Sequence, residues 1–504
     1  MSIEEDEDTG FQTTHFFSNL IVAGVIVFAS VRPIIHAFHG HFFIEPDSVG
    51  YMSLGDRVWN GQGFSDFSGN WCSDWPPFYP LVFGLVEMLL HGQAIKALGV
   101  VGGICLAGTL IVSNALLFKL TRSAALRCGV MIALALSVPL TNIANSGLSE
   151  TLFIPLSLLS IYFVGQYQER SSLFYFLPAA LFALLCCMTR YIGVSVVAAL
   201  LVSILICPTL TFGKRLLHGA LFLMITLTPL TVWCLINKHY SGTMMGQRNP
   251  GTSSISDCLN SLWNCLGAAM VQPIFAIILA CAAAIGLAIW LLTRRETDSP
   301  YLRSAPLFAA IYAFMIVFSS ANYNIDMIDD RLTSPLFVPL ILTAIGFIEY
   351  LRAIMIRPIA LVISGVATAF FLLVAAESLT AAQIKTGGYL SPAWQQSPTL
   401  SYVSKTAFAY PLYSNDSAAT YLIGHKVSSW VADDTHNPGM AYVVAQINGL
   451  EGPCYVIWLT NAIEPANFDP KQIVTQCGMQ LASTFNDGYI FERTATSSPA
   501  AATK

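Results

Sequence analysis

Residues 45–64 read EPDSVGYMSLGDRVWNGQGF, and residues 73–80, after a polar glycine-rich run, read SDWPPFYP. This stretch follows the first long apolar segment, and its two quoted segments contain four acidic residues, Glu45, Asp47, Asp56 and Asp74. Only 11% of the residues in the whole chain are charged. Carboxylates at a bilayer surface usually serve a functional site, because they are costly to dehydrate. We therefore expect the chemistry of this protein in this loop.

The composition of the chain is that of a membrane protein. Its 504 residues are 55% apolar, the mean hydropathy is +0.62 and the net charge is −5. Soluble proteins carry about 25% charged residues, so the sequence predicts several membrane spans. No basic block suited to nucleic acid is present. The acidic start, residues 4–8, lacks the positive flank of a cleaved signal peptide, so the first apolar segment is expected to remain as an anchor.

Apolar runs of roughly 20 residues predict an α-helical polytopic membrane protein. The sequence predicts eleven spans, over residues 15–37, 97–118, 126–141, 150–167, 172–189, 191–207, 215–236, 264–292, 304–320, 334–351 and 357–378. With a cytoplasmic N-terminus, the inner loops hold eleven Lys and Arg residues and the outer loops hold six. This distribution agrees with the positive-inside rule and favours that orientation.

The predicted orientation depends on residues 76–91, PPFYPLVFGLVEMLLH. This segment is short, opens with two prolines, and carries Glu87 and His91. These features favour a helix that lies in the outer interface rather than a span. If the segment did cross the membrane, the N-terminus would face out.

The composition changes near residue 380, where polar residues and prolines become frequent and apolar runs shorten to strand length. Runs such as CYVIWL (454–459) and GYIFER (488–493) predict strands of a small α/β domain. The predicted organisation is a catalytic membrane domain over 1–379 with its first outer loop at 38–96, an extracytoplasmic α/β domain over 380–495, and a disordered tail over 496–504. Cys454 and Cys477 can form a disulfide if the α/β domain is extracytoplasmic.

Two acidic residues stand at the predicted outer ends of helices. Asp47 begins an amphipathic segment in which residues such as Val49 and Met52 are expected to face lipid. Its carboxylate is either functional or simply the N-cap of that helix. Glu150 begins a span, where it either serves a site or only interacts with the helix dipole.

Three arginines fall on the same predicted face, Arg190 at the end of a span, Arg248 in an outer loop, and Arg331 before a late span. For Arg190 the alternative is a side chain that only reaches the lipid headgroups. Carboxylates can deprotonate a hydroxyl or hold a divalent cation, and arginines can neutralise a phosphate. Both kinds of group beside a hydrophobic slot suit a lipid-linked phosphate donor. The sequence contains no motif of a nucleotide-driven or hydrolytic enzyme.

In these stretches the chain resembles the GT-C superfamily of integral-membrane glycosyltransferases. It is similar in particular to polyprenyl-phosphate-sugar enzymes such as aminoarabinose transferases and protein mannosyltransferases. Residues 47–63 resemble the Asp-x-x-x-Tyr and Gly-x-Gly pattern of the first loop, and SDWPPFYP resembles a Trp-Pro-Pro-Leu-Tyr-Pro segment. LSETLF (148–153), MTRYIGV (188–194) and DDRLTSP (329–335) resemble three further segments, although Leu332 replaces an aromatic residue in the last.

The resemblance implies a GT-C fold in a bacterial plasma membrane and inverting transfer of a sugar on the extracytoplasmic face. The implied partners are a polyprenyl-phosphate sugar donor, membrane lipid, and a glycan, lipid or protein acceptor. Asp47 is implied as the essential carboxylate and Glu150 as a second catalytic acid. The implied substrate-binding residues are Tyr51, Asp74, Trp75, Arg190, Arg248 and Arg331. Asp47 and Glu150 are also candidates to hold Mg²⁺ or Mn²⁺, because two close carboxylates repel each other without a cation.

Two other functions fit parts of the sequence. A lipid or glycolipid transporter needs polar groups along a path through the bilayer, whereas here they collect on one predicted face. A non-catalytic GT-C-like protein that binds partners through residues 380–495 is the second alternative.

Overall fold

The computed structural model describes residues 2–248, 250–251, 253–269, 299–323, 327–381, 385–431, 439–462 and 469–494. Side chains are described from residue 16 onward, except at 269 and 381. The chain divides into two compact units. The membrane unit comprises Met1–His39, Ser73–Val82 and Gln93–Lys385, and the second unit comprises Gly40–Cys72, Phe83–Gly92 and Thr386–Lys504. The predicted first outer loop thus contributes residues to both units.

Helices make up most of the described chain. In chain order they are α1 (Ser2–Phe38), α2 (Pro46–Trp59), α3 (Phe78–Leu89), α4 (Ala94–Leu120), α5 (Ala124–Ala135), α6 (Val138–Ala144), α7 (Glu150–Arg170), α8 (Leu173–Thr189), α9 (Val194–Leu205), α10 (Phe212–Ser241), α11 (Ile255–Ala269), α12 (Pro300–Asn322), α13 (Asp330–Thr333), α14 (Phe337–Ile354), α15 (Arg357–Ala381), α16 (Pro392–Gln395), α17 (Pro398–Lys405), α18 (Ser417–Leu422), α19 (Met440–Asn448) and α20 (Pro470–Cys477). Short 3₁₀ turns, Tyr191–Gly193 and Ser334–Leu336, precede α9 and α14.

Ten of the eleven predicted spans coincide with helices, and the predicted span 264–292 lies largely outside the described residues. Among the described helices, six are long and apolar enough to cross a bilayer, or seven if α5 and α6, bent by 48°, count as one. This length and composition indicate an integral membrane protein. The number of these helices is below the eleven predicted spans partly because α8 and α9 are shorter than the roughly 20 residues of a full span. The segment 76–91 forms α3, a short apolar helix as the sequence predicts.

Glycines on α4 allow its neighbours in the membrane unit to approach closely. A Cβ atom added at Gly103 would lie 2.5 Å from the carbonyl oxygen of Ser30 on α1. One added at Gly102 would lie 2.2 Å from the carbonyl oxygen of Ala144 on α6. Small residues at such contacts let helix backbones pack against each other within a bilayer. The close packing fixes α6, which leads directly toward Glu150 at the start of α7.

Helix α2, in the second unit, contains Asp47. Its N-cap is Glu45 rather than Asp47, and the Ser48 hydroxyl accepts the Glu45 N–H at 3.3 Å. The alternative that Asp47 only caps this helix is therefore wrong. Val49 and Met52 are buried rather than lipid-facing, because residues 48–55 of α2 are covered by protein.

The second unit contains two sheets. Its strands are β1 (Phe43–Ile44), β2 (Gly387–Gly388), β3 (Leu412–Ser414), β4 (Ser429–Trp430), β5 (Cys454–Leu459), β6 (Gln480–Phe485) and β7 (Gly488–Arg493). Strands β1 and β2 pair in parallel, and the others form a mixed sheet in the order β4-β3-β5-β7-β6. The strands predicted over 454–459 and 488–493 are thus confirmed as β5 and β7, which pair antiparallel.

The hydrophobic core of the second unit lies between the mixed sheet and helices α19 and α20. It includes Val443, Trp458, Ile473 and Phe491, all of which are almost completely buried. Cys454 and Cys477 belong to the same core as buried free thiols, so the disulfide considered for them does not form in this structure. Both behave as small hydrophobic residues, as cysteine does in apolar surroundings.

Candidate active site

A buried carboxylate joins two arginines in the membrane unit. Glu150 is the first residue of α7 and is completely buried. Its Oε1 atom pairs with Arg190 and lies 3.2 Å from Nε of Arg331. Arg190 also donates to the hydroxyl of Ser149 at 2.9 Å. The structure thus brings together Glu150, Arg190 and Arg331, three residues predicted from separate segments; we call them the Glu150 cluster.

The backbone around Arg190 makes a sharp reversal. Arg190 is in an extended conformation between the end of α8 and the 3₁₀ turn Tyr191–Gly193. A Cβ atom added at Gly193 would lie 2.5 Å from the backbone of Cys186 and Cys187. The turn therefore folds back against α8 only because residue 193 has no side chain. This reversal places Arg190 beside the start of α7.

The short helix α13 positions Arg331. The carboxylate of Asp329 accepts the N–H of Leu332 at 2.8 Å and so caps this helix. On the other side, the hydroxyl of Tyr312 donates to the carbonyl oxygen of Leu332 at 2.9 Å. The residue after Arg331 is thus held through both its N–H and its C=O. This arrangement fixes the backbone from which the Arg331 side chain reaches Glu150.

The two arginines of the Glu150 cluster are placed to meet an anion. Their guanidinium groups face the same carboxylate oxygen. The side chains of Arg190 and Arg331 are 15% and 19% exposed, whereas that of Glu150 is 0% exposed. A buried carboxylate is costly without such partners, so the loss of either arginine would destabilise the start of α7. Both arginine side chains are partly exposed, so that a ligand can reach them.

A second group of contacts involves Asp74, also in the membrane unit. A Cβ atom added at Gly246 would lie 1.7 Å from Oδ1 of Asp74, so this carboxylate lies against the loop after α10. The neighbouring hydroxyls of Ser73 and Thr243 lie 3.0 Å apart. The hydroxyl of Tyr191 donates to the carbonyl oxygen of Ser73 at 2.9 Å. The segment containing Asp74 is therefore tied to the residue next to Arg190.

The remaining predicted site residues differ in burial. Trp75 is half-buried, and Arg248 is exposed at the end of the loop after α10. Asp47 and Tyr51 lie in the second unit, where Asp47 is half-buried in the first turn of α2 and Tyr51 is 2% exposed. A helix N-terminus favours the negative charge of Asp47. The roles of these four residues remain predictions.

The contacts of Glu150 do not fit the hypothesis that it holds Mg²⁺ or Mn²⁺. Its Oε1 atom already faces two guanidinium groups, which would repel a divalent cation. Within the described part of the chain, no group of three or more His, Cys, Asp and Glu side chains is arranged to hold a metal ion. We therefore derive no step through a metal at Glu150.

Sequence reasoning did not identify Ser149 or Tyr312 as part of this site. Ser149 stands beside Glu150 and contacts Arg190, but a serine before a helix normally indicates only an N-cap. Tyr312 lies in the long apolar run of α12, where an aromatic residue normally indicates packing. The hydrogen bond to Leu332 reveals its relation to Arg331.

Comparison of the sequence with protein-family models and with curated proteins gives no match. Solved structures do match. One is ArnT from Cupriavidus metallidurans bound to undecaprenyl phosphate, with a TM-score of 0.57 and 12% identity over 95% of this chain and 99% of that chain. Another is the archaeal oligosaccharyltransferase AglB from Archaeoglobus fulgidus in complex with an inhibitory peptide and a dolichol-phosphate, with a TM-score of 0.56 and 9% identity over 89% of this chain and 70% of that one.

A third similar structure is the arabinofuranosyltransferase AftD from Mycobacteria, with a TM-score of 0.54 and 12% identity. The match covers 93% of this chain but 40% of that longer chain. ArnT, AglB and AftD are all GT-C glycosyltransferases. This chain therefore has the GT-C fold, which confirms the fold that the sequence resemblance implied.

Proposed function

We propose that this protein is a membrane glycosyltransferase that moves a sugar from a polyprenyl-phosphate donor to an acceptor on the extracytoplasmic face. The observation that carries the proposal is the pair of partly exposed guanidinium groups that meet at one buried carboxylate, an arrangement that suits a phosphate group. The GT-C fold supports it, since the similar ArnT and AglB structures hold undecaprenyl phosphate and a dolichol-phosphate.

The two arginines would stabilise the leaving group. When the bond between the anomeric carbon and the phosphate oxygen breaks, the electron pair stays on the departing polyprenyl phosphate. Preorganised cationic groups are most effective where such charge develops. Planar guanidinium groups can bind two phosphate oxygens at once, and Glu150 holds Arg190 and Arg331 in position before the donor arrives. Glu150 then acts through the arginines rather than on the substrate.

Asp47 is the proposed general base. The acceptor hydroxyl or amide gives its proton to the Asp47 carboxylate while its oxygen or nitrogen attacks the anomeric carbon. Attack on the side opposite the phosphate inverts the configuration of the sugar. General-base catalysis contributes roughly two to four orders of magnitude in rate. Tyr51, Asp74, Trp75 and Arg248 remain proposed substrate contacts, and the acceptor is a glycan, a lipid or a protein.

The test uses the full-length protein added to membranes from cells that lack it. Undecaprenyl phosphate carrying one radiolabelled sugar at a time is the donor, and the transfer of label to a new product is measured. We expect transfer that depends on the protein. The Arg331→Ala variant should raise the donor KM by at least about tenfold, because it removes a charged phosphate contact.

A matched control is Arg352→Ala. Arg352 also forms an ion pair, with Glu349, but at the far end of α14. It should leave the donor KM unchanged. No label transfer from any sugar by folded wild-type protein would overturn the proposal, and an equal donor KM in Arg331→Ala would overturn the phosphate role.

A further inference from the structure

A two-stranded ladder in the second unit holds the segment that leads into α2. Strand β1 ends at Ile44, two residues before α2 begins, and pairs in parallel with β2. The Gly387 N–H donates to the Phe42 carbonyl oxygen at 3.2 Å, and the Tyr389 N–H donates to the Ile44 carbonyl oxygen at 2.9 Å. A ladder of two residues per strand is weak by itself. Its geometry therefore depends on what anchors β2.

The second glycine of β2 is required for the close approach of β2 to β1. Gly388 has a φ of +56°, and a Cβ atom there would lie 2.0 Å from the carbonyl oxygen of Ile44. Because only glycine tolerates both conditions, the strand contributes backbone contacts to β1 but no side chain. The first side chain after the ladder that can act as an anchor is that of Tyr389.

Tyr389 is tied to a buried carboxylate. It is 4% exposed, and its hydroxyl donates to both carboxylate oxygens of Asp416, at 2.8 and 2.9 Å. Asp416 is 6% exposed and also caps α18 by accepting the Ala419 N–H at 2.8 Å. Hydrogen bonds to a buried carboxylate are strong, and their loss leaves an unsatisfied charge.

The same carboxylate reaches α2 by a second route. Helix α18, which Asp416 caps, packs against α2 within the second unit. One buried carboxylate thus supports the segment before Asp47 through Tyr389 and the helix that contains Asp47 through α18. Burial and the neighbouring Asp416 raise the pKa of the Tyr389 hydroxyl, and the charges of Glu45 and Asp47 raise it further. Both routes therefore reach α2, and the first reaches the residues just before Asp47.

We propose that Tyr389 and Asp416 are positioning residues that hold the start of α2, and with it the Asp47 carboxylate, in its working geometry. The inference rests on the proposed function in assigning Asp47 a catalytic role, and it gives the residues after 385 a specific part in the reaction. A displacement of about 1 Å at a catalytic group can lower a rate by about a hundredfold. A single hydrogen-bonded anchor can therefore matter for turnover without contacting substrate.

The test compares Tyr389→Phe with Tyr455→Phe in the full-length protein. Tyr455 donates to Glu492 at 3.0 Å, so the control removes the same kind of bond within the mixed sheet of the same unit. Hydrogen exchange over residues 43–59 and the kcat and donor KM of transfer are measured. For Tyr389→Phe we expect exchange about tenfold faster and kcat roughly tenfold lower, with donor KM changed less than about twofold. Tyr455→Phe should change none of these.

The kinetic and exchange measurements each test the positioning role of Tyr389. A kcat within about twofold of wild type in Tyr389→Phe would overturn the positioning role, as would an equal loss in Tyr455→Phe. If Tyr389→Phe does not fold, Asp416→Asn replaces it, with the same expected direction. If the wild-type protein transfers no sugar, the proposed function fails. Hydrogen exchange tests the anchoring role of Tyr389 separately: unchanged exchange over residues 43–59 in Tyr389→Phe would refute it.

Discussion

Glu150 contacts Arg331 at 3.2 Å through the same carboxylate oxygen that pairs with Arg190. One buried atom at the start of α7 therefore orients two guanidinium groups from distant parts of the chain. The positions of both guanidinium groups therefore depend on the Glu150 carboxylate.

The Glu150→Gln substitution should destabilise the protein more than its small change in shape suggests. Removing the buried negative charge leaves two neighbouring guanidinium groups without their shared partner, and breaking such buried pairs costs about 3–5 kcal/mol. Thermal unfolding of purified protein measures the loss. The control is Glu169→Gln at the other end of α7, whose ion pair with Lys119 is 32% exposed on both sides and contributes about 1 kcal/mol or less. Equal losses of stability in the two variants would contradict the role of Glu150 as the shared buried partner of the two arginines.

The Arg190→Lys substitution should lower kcat/KM for the donor by roughly tenfold. A lysine keeps the charge but lacks the planar group that contacts both Glu150 and Ser149. Initial rates over a range of donor concentrations give the ratio. Ser149→Ala removes only one of these contacts and should reduce kcat/KM less. A full wild-type rate in Arg190→Lys would show that charge alone suffices.

The Gly246→Ala substitution should displace Asp74. Gly246 has a φ of +79°, and the new Cβ atom would overlap the Asp74 carboxylate. Gly242→Ala is the matched control, since its φ is +76° but nothing lies within 4 Å of the added atom. Both variants should lose about 1 kcal/mol from backbone strain, and only Gly246→Ala should also lose activity. Thermal unfolding and initial rates separate the two effects; equal activity in the two variants would contradict a role for Asp74.

Asp416 should make the second unit less stable as the pH rises from about 4 to 6. Burial raises the pKa of Asp416 from 3.8 to about 6, although hydrogen bonds from Ala419, Tyr389 and Ala418 oppose the shift. The folded state thus retains a proton that the unfolded chain releases, and the stability this provides is complete below pH 4 and is lost as the pH passes 6. The melting temperature of Asp416→Asn minus that of wild type should rise over this range. A difference independent of pH would contradict the expected titration.

The grouping of polar residues was the part of the site best predicted from sequence. Alternating spans bring every second loop to the same face, so Glu150, Arg190 and Arg331 were expected near each other, and the structure shows their contacts. The two strands predicted over 454–459 and 488–493 were clear from their apolar runs. These signals are local, and local patterns are what a single sequence shows best.

Long-range pairing could not be predicted in the same way. Nothing in residues 43–44 indicates that they pair with 387–388, since the contacts are made by backbone atoms and by glycines without side chains. The amphipathic pattern of α2 indicated an apolar face but not that protein, rather than lipid, covers Val49 and Met52. The hydrogen bonds between Tyr389 and Asp416 could not be predicted either, because neither residue belongs to a motif and they are separated along the chain.

The Asp47→Asn variant, compared with Asp56→Asn on the same helix, tests the central claim most directly. The two substitutions remove the same charge from α2, but only Asp47 is proposed to take the acceptor proton. Single-turnover transfer from a radiolabelled polyprenyl-phosphate sugar is measured in folded protein of equal amount. We predict that Asp47→Asn lowers the transfer rate by at least about a hundredfold while Asp56→Asn stays near wild type. Transfer at a near wild-type rate by Asp47→Asn would contradict the account.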